Sequence, residues 1–385
     1  MRDDCPGCGN YGLSAPFRLV DQPVVLNYRF SDPAAASGVP RGDVTLRQCH
    51  RCGLVFNATF DISAIPYDKD YENRQCFSTA FQAHLETLAR QLTRRNGLTG
   101  GRILEIGCGK GDFLRLLCST ACASGEGYDT SYEPSGEPVP AGVSFSSHYL
   151  LASEVRGDFD AVICRHVVEH VPEIGAFLRE LHDIATAAGD PIVVLETPRF
   201  EWIVEHLCLW DVFYEHCNYI STPALGYLCR VAGFRVVRHR SVFRAQYQVL
   251  ELRLARRPMS DRSTAPGVPE SARLEFFAER AREHLDDLAA KFSAARDGRP
   301  WGVWGAGAKG VALVNQIVGP SPACVIDSNP AKQGGVVPGT HIPIVAPDDA
   351  RVLELGLVVI ANPAYADEIG SVLRSRQFAG RTLVL

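Results

Sequence analysis

Four groups of residues have the types and spacing to do chemistry. The first, Arg165-His166-Val167-Val168-Glu169-His170, leaves an apolar run that ends at Cys164, and the second is Trp210-Asp211-Val212-Phe213-Tyr214-Glu215-His216-Cys217-Asn218-Tyr219. Imidazole has an ordinary pKa near neutrality, which suits it to taking a proton from a weak carbon or oxygen acid. The H-x-x-E-H spelling of the first group matches a zinc-peptidase motif, but that chemistry wants one long helix, and Pro172 follows almost at once. The second group has no clean period and reads as a loop lining a cavity. The third is Glu105-Ile106-Gly107-Cys108-Gly109-Lys110-Gly111, where a short apolar strand meets a helical pattern starting at Phe113. Glycines there let the backbone approach a ligand or take positive φ. The helix start offers free N–H groups to an anionic group. The spacing is one residue tighter than the dinucleotide fingerprint, and Glu105 would repel a pyrophosphate. It suits a ligand with a cationic centre and an amino-acid end. Asp129, about eighteen residues beyond Gly111, ends the next strand candidate, where a carboxylate holds ribose hydroxyls. The fourth group is the pair of C-x-x-C motifs, Cys5/Cys8 and Cys49/Cys52. Two such knuckles in turn-forming, Gly-containing contexts supply a tetrahedral thiolate site for structural Zn2+. A redox reading needs one pair beside a helix in a βαβ unit, and neither has it. His50 reads as a bystander.

The elements that must position these groups follow from the pattern. Strands are expected at Arg102–Ile106, Glu126–Asp129, Val143–Phe145, Phe159–Cys164 and Pro191–Glu196, with helical segments over Tyr71–Asn96, from Phe113 and over Ile174–Ala187. Strands separated by helical crossovers predict a parallel sheet covered on both faces. Phe234–His239 and Gln248–Leu254, with no helix between them, predict a closing antiparallel hairpin. A polar, Pro-containing linker, Arg256–Glu270, precedes a long amphipathic helix with Leu274, Phe277, Ala281, Leu285, Leu288 and Phe292 on one stripe. A second nucleotide-fold signal follows: strand Trp301–Trp304, the turn Gly305-Ala306-Gly307-Ala308-Lys309-Gly310, and strand Cys324–Asp327 ending in an acid. At 385 residues two or three domains are expected, here 1–70, 71–256 and 257–385. A net charge of −5 with no basic stripe argues against a nucleic-acid partner. No apolar signal core or membrane-length run is present, so no membrane association and a cytoplasmic location are expected, with most of the thirteen cysteines reduced.

The run Glu105–Gly111 with Asp129 resembles the class I S-adenosylmethionine-dependent methyltransferases. The whole chain resembles one family of three-domain C-methyltransferases acting on nucleotide-activated 4-keto-deoxysugars. The resemblance is carried by the four cysteines, Glu105–Gly111, Glu196-x-Pro198, Glu215-His216 with Tyr219, and Trp304–Gly310 followed by Asp327-Ser328-Asn329-Pro330-Ala331-Lys332-Gln333-Gly334 and Pro338-Gly339-Thr340. It implies an α/β fold: a Rossmann-like parallel sheet with an N-terminal zinc module and a C-terminal Rossmann-like domain that closes over the substrate. The resemblance also implies S-adenosylmethionine contacts at Glu105, Gly107, Cys108, Gly109, Gly111, Asp129, Arg165 and His166. It places the general base at His216, with Glu215 and His170 near the sugar. Family members carry Tyr two residues before the Glu; this chain has Phe213 there and Tyr214 next, and strand-like alternation would turn Tyr214 to the opposite side. Two other readings stay open: an O- or N-methyltransferase of the same fold, and a nucleotide-sugar-binding or NAD-dependent oxidoreductase activity seated at Gly305–Gly310.

Overall fold

The computed structural model describes residues 1–385 apart from 66–70, 73, 75, 135, 137, 257–268, 270, 271 and 318. The expected linker Arg256–Glu270 therefore lies almost wholly outside the described residues. The central sheet has seven strands in the order Phe234–Val242, Tyr247–Leu254, Ile192–Pro198, Ala161–Arg165, Arg102–Ile106, Ser124–Tyr128 and Val143–Ser146. The last five are parallel and the first two antiparallel. Ala161–Cys164 and Ile192–Thr197 are buried at every residue, the near-continuous apolar reading of strands covered on both faces. Chain order reverses between Arg102–Ile106 and Ala161–Arg165, and ligands bind at the carboxyl ends beside such a switch point. Both catalytic-looking runs and the Glu105 turn leave the sheet at that edge.

Helix Thr79–Asn96 begins eight residues later than the Tyr71 start that the periodicity suggests. Its first N–H groups are claimed at Ser78, whose hydroxyl accepts from Phe81, and by the carboxylate of Glu368, which accepts from Thr79 and Ala80 at 3.2 and 3.1 Å. Ser78 is thus a local N-cap, and a carboxylate nearly three hundred positions away satisfies two further N–H groups of the first turn.

A four-stranded antiparallel sheet holds Phe17–Pro23, Arg41–Gln48, Val55–Asn57 and Asn218–Tyr219. A five-stranded parallel sheet holds Ile344–Val345, Cys324–Ile326, Trp301–Trp304, Leu357–Ile360 and Arg381–Val384. In that sheet Gly310 packs its backbone against the turn: a Cβ there would stand 1.8 Å from the Gly305 carbonyl oxygen. The four-stranded sheet and the five-stranded sheet (the third sheet below) share one apolar core with helix Leu274–Ala295 and the 200–214 segment. Phe277 is fully buried, 5.6 Å from the Phe17 ring and 6.4 Å from that of Phe200, a burial worth roughly 2–3 kcal/mol. Asn218–Tyr219, from the middle of the chain, pairs with Val55–Phe56 near its start. Among the described residues no helix is long and apolar enough to cross a membrane.

Candidate active site

The glycine turn does what its composition allows. Gly107, Gly109 and Gly111 have φ of 71°, 55° and 84°, the left-handed region. At Gly107 a Cβ would also fall 2.2 Å from Val167 Cγ2, so the exits of Arg102–Ile106 and Ala161–Arg165, strands one and four of the central sheet in chain order, touch through that missing side chain. Asp129 braces the turn: one carboxylate oxygen accepts from Gly109 N–H at 2.8 Å and the other from Ser131 N–H at 2.8 Å. Cys108 is buried, and a Cβ on Gly127 would lie 3.0 Å from its sulfur, so its side chain faces the sheet. Burial pushes its thiol well above the ordinary range.

Three buried side-chain atoms at the strand exits lack hydrogen-bond partners: Glu105 Oε2, Arg165 Nη2 and His166 Nε2. Burial raises the Glu105 carboxyl to about 8, opposed by Arg165 and reinforced by Asp129. A buried acid kept from ionising, beside an orphaned guanidinium N–H and an open imidazole nitrogen, is a polar set that a ligand bearing an ammonium and a carboxylate would satisfy. Arg165 is otherwise committed, with its Nε on Glu196 and its guanidinium 4.2 Å from the centre of the Phe113 ring. His84 meets the other oxygen of Glu196 at 2.9 Å. Burial opposes the charge on Glu196, but Arg165 and His84 hold its carboxyl well below the usual range.

His166 leaves strand four at φ 52°, a conformation rare for a residue with a Cβ. That twist sets its ring edge-on to Tyr247, 4.7 Å between centres, with Nδ1 3.2 Å from Glu169 Oε1. Val168–His170 is a single 3-10 turn, so the long helix of a zinc peptidase is absent. His170 Nδ1 lies 2.9 Å from the Glu215 carbonyl oxygen, which makes Nδ1 the protonated nitrogen when the ring is neutral. The His170 and His216 rings are 4.8 Å apart at 76°. Glu169, His170 and His216 each bring one donor atom within 4.8 Å of the others. Both Glu169 oxygens already accept, one from His166 and the other from Thr197 at 3.0 Å, so the group is better described as a hydrogen-bonded cluster than as a metal centre. Burial disfavours the Glu169 charge, yet the hydrogen bond from His166 and the nearby His170 keep its carboxyl below the ordinary value.

A cavity of about 270 Å³ opens between this edge of the central sheet and the third sheet. His166, His170 and His216 line it on one side, and Trp304, Gly305–Gly310 and Asp327 on the other. His216 is held well below its ordinary pKa by burial first, then by His170, His166 and Lys309. It is therefore a neutral imidazole facing the cavity.

Tyr214, a catalytic candidate by its place in the loop, is turned to the opposite side as alternation predicts, and Glu215 does not sit at the cavity where the resemblance put it. Tyr214 is absent from the cavity wall: its ring packs against Gly42 and Phe60, and its hydroxyl accepts from Asp61 N–H at 3.0 Å. Phe213 takes the cavity side, as alternation requires. Glu215 is fully buried and does not face the cavity. It accepts from Leu26 N–H, Asn27 N–H, Asn27 Nδ2 and Tyr71 Oη. Its carboxylate joins the loop to the N-terminal segment, a task that spacing could not separate from contact with a substrate. Sequence reasoning gave no site role to Asn27 and Tyr71, or to Asp211, Lys309 and Lys332, all on the cavity wall; the last three stand in runs that it singled out, while Asn27 and Tyr71 had no such signal.

Far from the cavity the four motif cysteines converge. Cys5 and Cys52 sulfurs are 3.5 Å apart, Cys8 and Cys49 sulfurs 3.6 Å, and all four lie within 4.8 Å of one another. A tetrahedral thiolate site with metal–sulfur bonds near 2.3 Å has sulfurs about 3.8 Å apart. None of the thirteen cysteines is in a disulfide. Gly7 N–H points at Cys5 Sγ and Asn10 Nδ2 at Cys49 Sγ, while His50 is exposed.

Known proteins agree with the cofactor end and with the third sheet. Residues 81–239 match a family described as methyltransferase domain, and residues 253–385 one described as C-methyltransferase C-terminal domain. The C-methyltransferase NovU of Streptomyces niveus is 27% identical over 318 residues, 74% of this chain and 72% of that protein. A ubiquinone biosynthesis O-methyltransferase of Aromatoleum aromaticum is 34% identical over 160 residues, 37% of this chain and 67% of the relative. A magnesium protoporphyrin IX methyltransferase from Synechocystis, solved with S-adenosylhomocysteine bound, is 18% identical, with a TM-score of 0.36 over 46% of this chain and 84% of that one. With the seven-stranded sheet and the glycine turn in place, these matches establish that the chain belongs to the S-adenosylmethionine-dependent methyltransferases and carries a C-methyltransferase C-terminal domain.

Proposed function

We propose that the protein transfers a methyl group to a carbon next to a ketone, on a nucleotide-linked 4-keto-deoxysugar, with His216 as the base. One observation carries the reading: a half-buried imidazole, held below its ordinary pKa, faces a cavity walled by the central sheet on one side and by the Gly305–Gly310 turn on the other. The C-methyltransferase C-terminal domain and the likeness to NovU support carbon as the acceptor.

Bound S-adenosylmethionine supplies an electrophilic methyl carbon. Glu105 would hold the cofactor's ammonium group, and Asp129 with the glycine turn its ribose. A ring nitrogen of His216 takes the α-proton; the electron pair left behind is the nucleophile, and the proton stays on the imidazole. Phe213, 4.2 Å from His216 between ring centres, and the buried wall behind it exclude water from that ring. His170 and Asn27 offer polar contacts to the sugar. With Phe213 in place of a tyrosine, no phenol at that position donates to the enolate oxygen, and the chain's route to stabilising that charge runs through Lys332 on the cavity wall. Trp304 and Tyr365 are apolar surfaces for the nucleoside, with Asp327 for its ribose hydroxyls. The rate contribution asked of the protein is mostly placement of carbon and methyl in line.

The four cysteines fit structural Zn2+, which would hold together a segment whose own core is small. Metal analysis of the purified protein should find one zinc per chain, and Cys49→Ser should lose it and unfold at a lower temperature. A metal-free protein of unchanged thermal stability would remove zinc from the account.

Glu105 generates a linkage prediction. Its carboxyl is raised to about 8, so at pH 6–7 the protein without cofactor carries that proton, and an ammonium beside it favours the carboxylate. Binding S-adenosylhomocysteine should release close to one proton at pH 6.5, and affinity should rise with pH until about 8. Calorimetry in buffers of different ionisation enthalpy reads the release. Glu105→Gln should abolish it and weaken binding by about tenfold or more; equal proton release in that variant would contradict the assignment.

For the reaction itself, incubation with S-adenosyl-[methyl-13C]methionine and a dTDP-4-keto-deoxysugar should yield a carbon-bound methyl by NMR. A methyl found on oxygen or nitrogen would select the heteroatom reading instead.

A further inference from the structure

The loop that bears His216 is tied to the third sheet at three successive residues. Trp210 Nε1 donates to the Ala361 carbonyl at 3.0 Å, Asp211 Oδ2 meets Lys309 Nζ at 2.6 Å, and the Val212 carbonyl accepts from Gln316 Nε2 at 2.9 Å. The Lys309–Asp211 pair is the charged one. Asp211 is 4% exposed and Lys309 18%, and the lysine nitrogen stands 4.5 Å from the centre of the Trp202 ring, close enough for a cation–π contact. A lysine at the start of a helix after a glycine turn would ordinarily be read as a phosphate ligand. Here its charge is matched by a buried carboxylate and its face is covered by an indole. Breaking such a pair by removing one partner leaves the other charge buried, which is costly. Asp211 is five residues before His216, and between them Tyr219 Oη bridges Phe213 N–H and C=O at 3.0 and 2.9 Å. Displacement at Asp211 therefore passes to the His216 ring through a short, pinned segment.

We propose that Lys309, in the first turn of helix Ala308–Gln316 after strand Trp301–Trp304, is a positioning residue for His216, acting through Asp211, so that the C-terminal domain supplies part of the scaffold of the base and is more than a cover for the substrate. The proposal rests on the reading of His216 as the base. Charged or titratable groups face or adjoin that ring from each element around it: His166, Glu169 and His170 from the strand-four exit, Asp211, Glu215 and Tyr219 from its own segment, Lys309 from helix Ala308–Gln316. Lys309 is one of the groups that keep His216 neutral, so its removal has an electrical as well as a mechanical signature, and both move the titration of His216 upward.

The test uses the full-length protein as Lys309→Met, Lys309→Arg and Asp211→Asn, with S-adenosylmethionine and a dTDP-4-keto-deoxysugar. In Lys309→Met kcat should fall about a hundredfold, the scale of a small misplacement, with both KM values kept and the acid limb of the kcat–pH profile moved to higher pH. Lys309→Arg should restore most of the rate. Asp211→Asn should lose a similar factor, and the double variant should be no worse than either single one. A raised KM for the nucleotide sugar with kcat kept would make Lys309 a phosphate contact and overturn the proposal; so would an unmoved acid limb. Calorimetric binding of S-adenosylhomocysteine reports whether each variant is folded. NMR titration of the His216 imidazole, identified by its loss in His216→Asn, needs no substrate. If wild type methylates no carbon, the proposed function fails, while a His216 titration that is the same in wild type and Lys309→Met overturns the positioning role by itself.

Discussion

A single buried carboxylate, Glu215, joins the base loop to the rest of the molecule. Four donors converge on it from two segments, Leu26–Asn27 and Tyr71. A buried ion is tolerable only when its lone pairs are filled, and here the filling groups come from the N-terminal part of the chain. Each donor left unpaired would cost about 1–3 kcal/mol. The next residue is His216, so the requirement to satisfy Glu215 is also what aims the imidazole at the cavity. The Asn218–Tyr219 pairing with Val55–Phe56 and the three ties to the third sheet act on the same loop. The loop bearing His216 is thus held at once from the N-terminal segment, the four-stranded sheet and the C-terminal domain, and the four-stranded and five-stranded sheets share a core around it.

Around that loop the buried acids divide by partner. Glu105 has an oxygen with no hydrogen-bond partner and a carboxyl raised by burial, a site waiting for a cation. Glu169 and Glu196 are as buried, yet are held as carboxylates by His166 and by Arg165 with His84. Coulomb attraction inside a low-dielectric interior is strong enough to reverse the effect of burial when a partner is fixed in place. One edge of the sheet therefore presents an acid whose pKa burial raises and an imidazole whose pKa burial lowers, the pair on which the proposed function draws.

Much of this was legible in the residues. The strand and helix alternation, the helix Ile174–Ala187 to the residue, the closing hairpin, the glycine turn and the convergence of Cys5, Cys8, Cys49 and Cys52 all follow from local pattern, because period, turn chemistry and ligand spacing are local. What was not legible depends on distant partners. The second cap of the Thr79 helix comes from Glu368, beyond the local Ser78; the burial of Glu215 is set by Leu26, Asn27 and Tyr71; the service of Lys309 by Asp211. Tyr214 illustrates the limit from the other side. Alternation indicated that it and Phe213 face opposite ways, but only Gly42 and Asp61, far upstream, show that the Tyr214 side is interior wall.

The central claim is that a neutral His216 removes a proton from the acceptor carbon. The most direct measurement is exchange of that proton with deuterated water in the presence of S-adenosylhomocysteine, which fills the cofactor site without a methyl to give. Wild type should exchange the α-proton of a dTDP-4-keto-deoxysugar at a rate comparable to turnover, and His216→Asn should not, while binding S-adenosylhomocysteine as tightly as before. Undiminished exchange in His216→Asn would contradict the account.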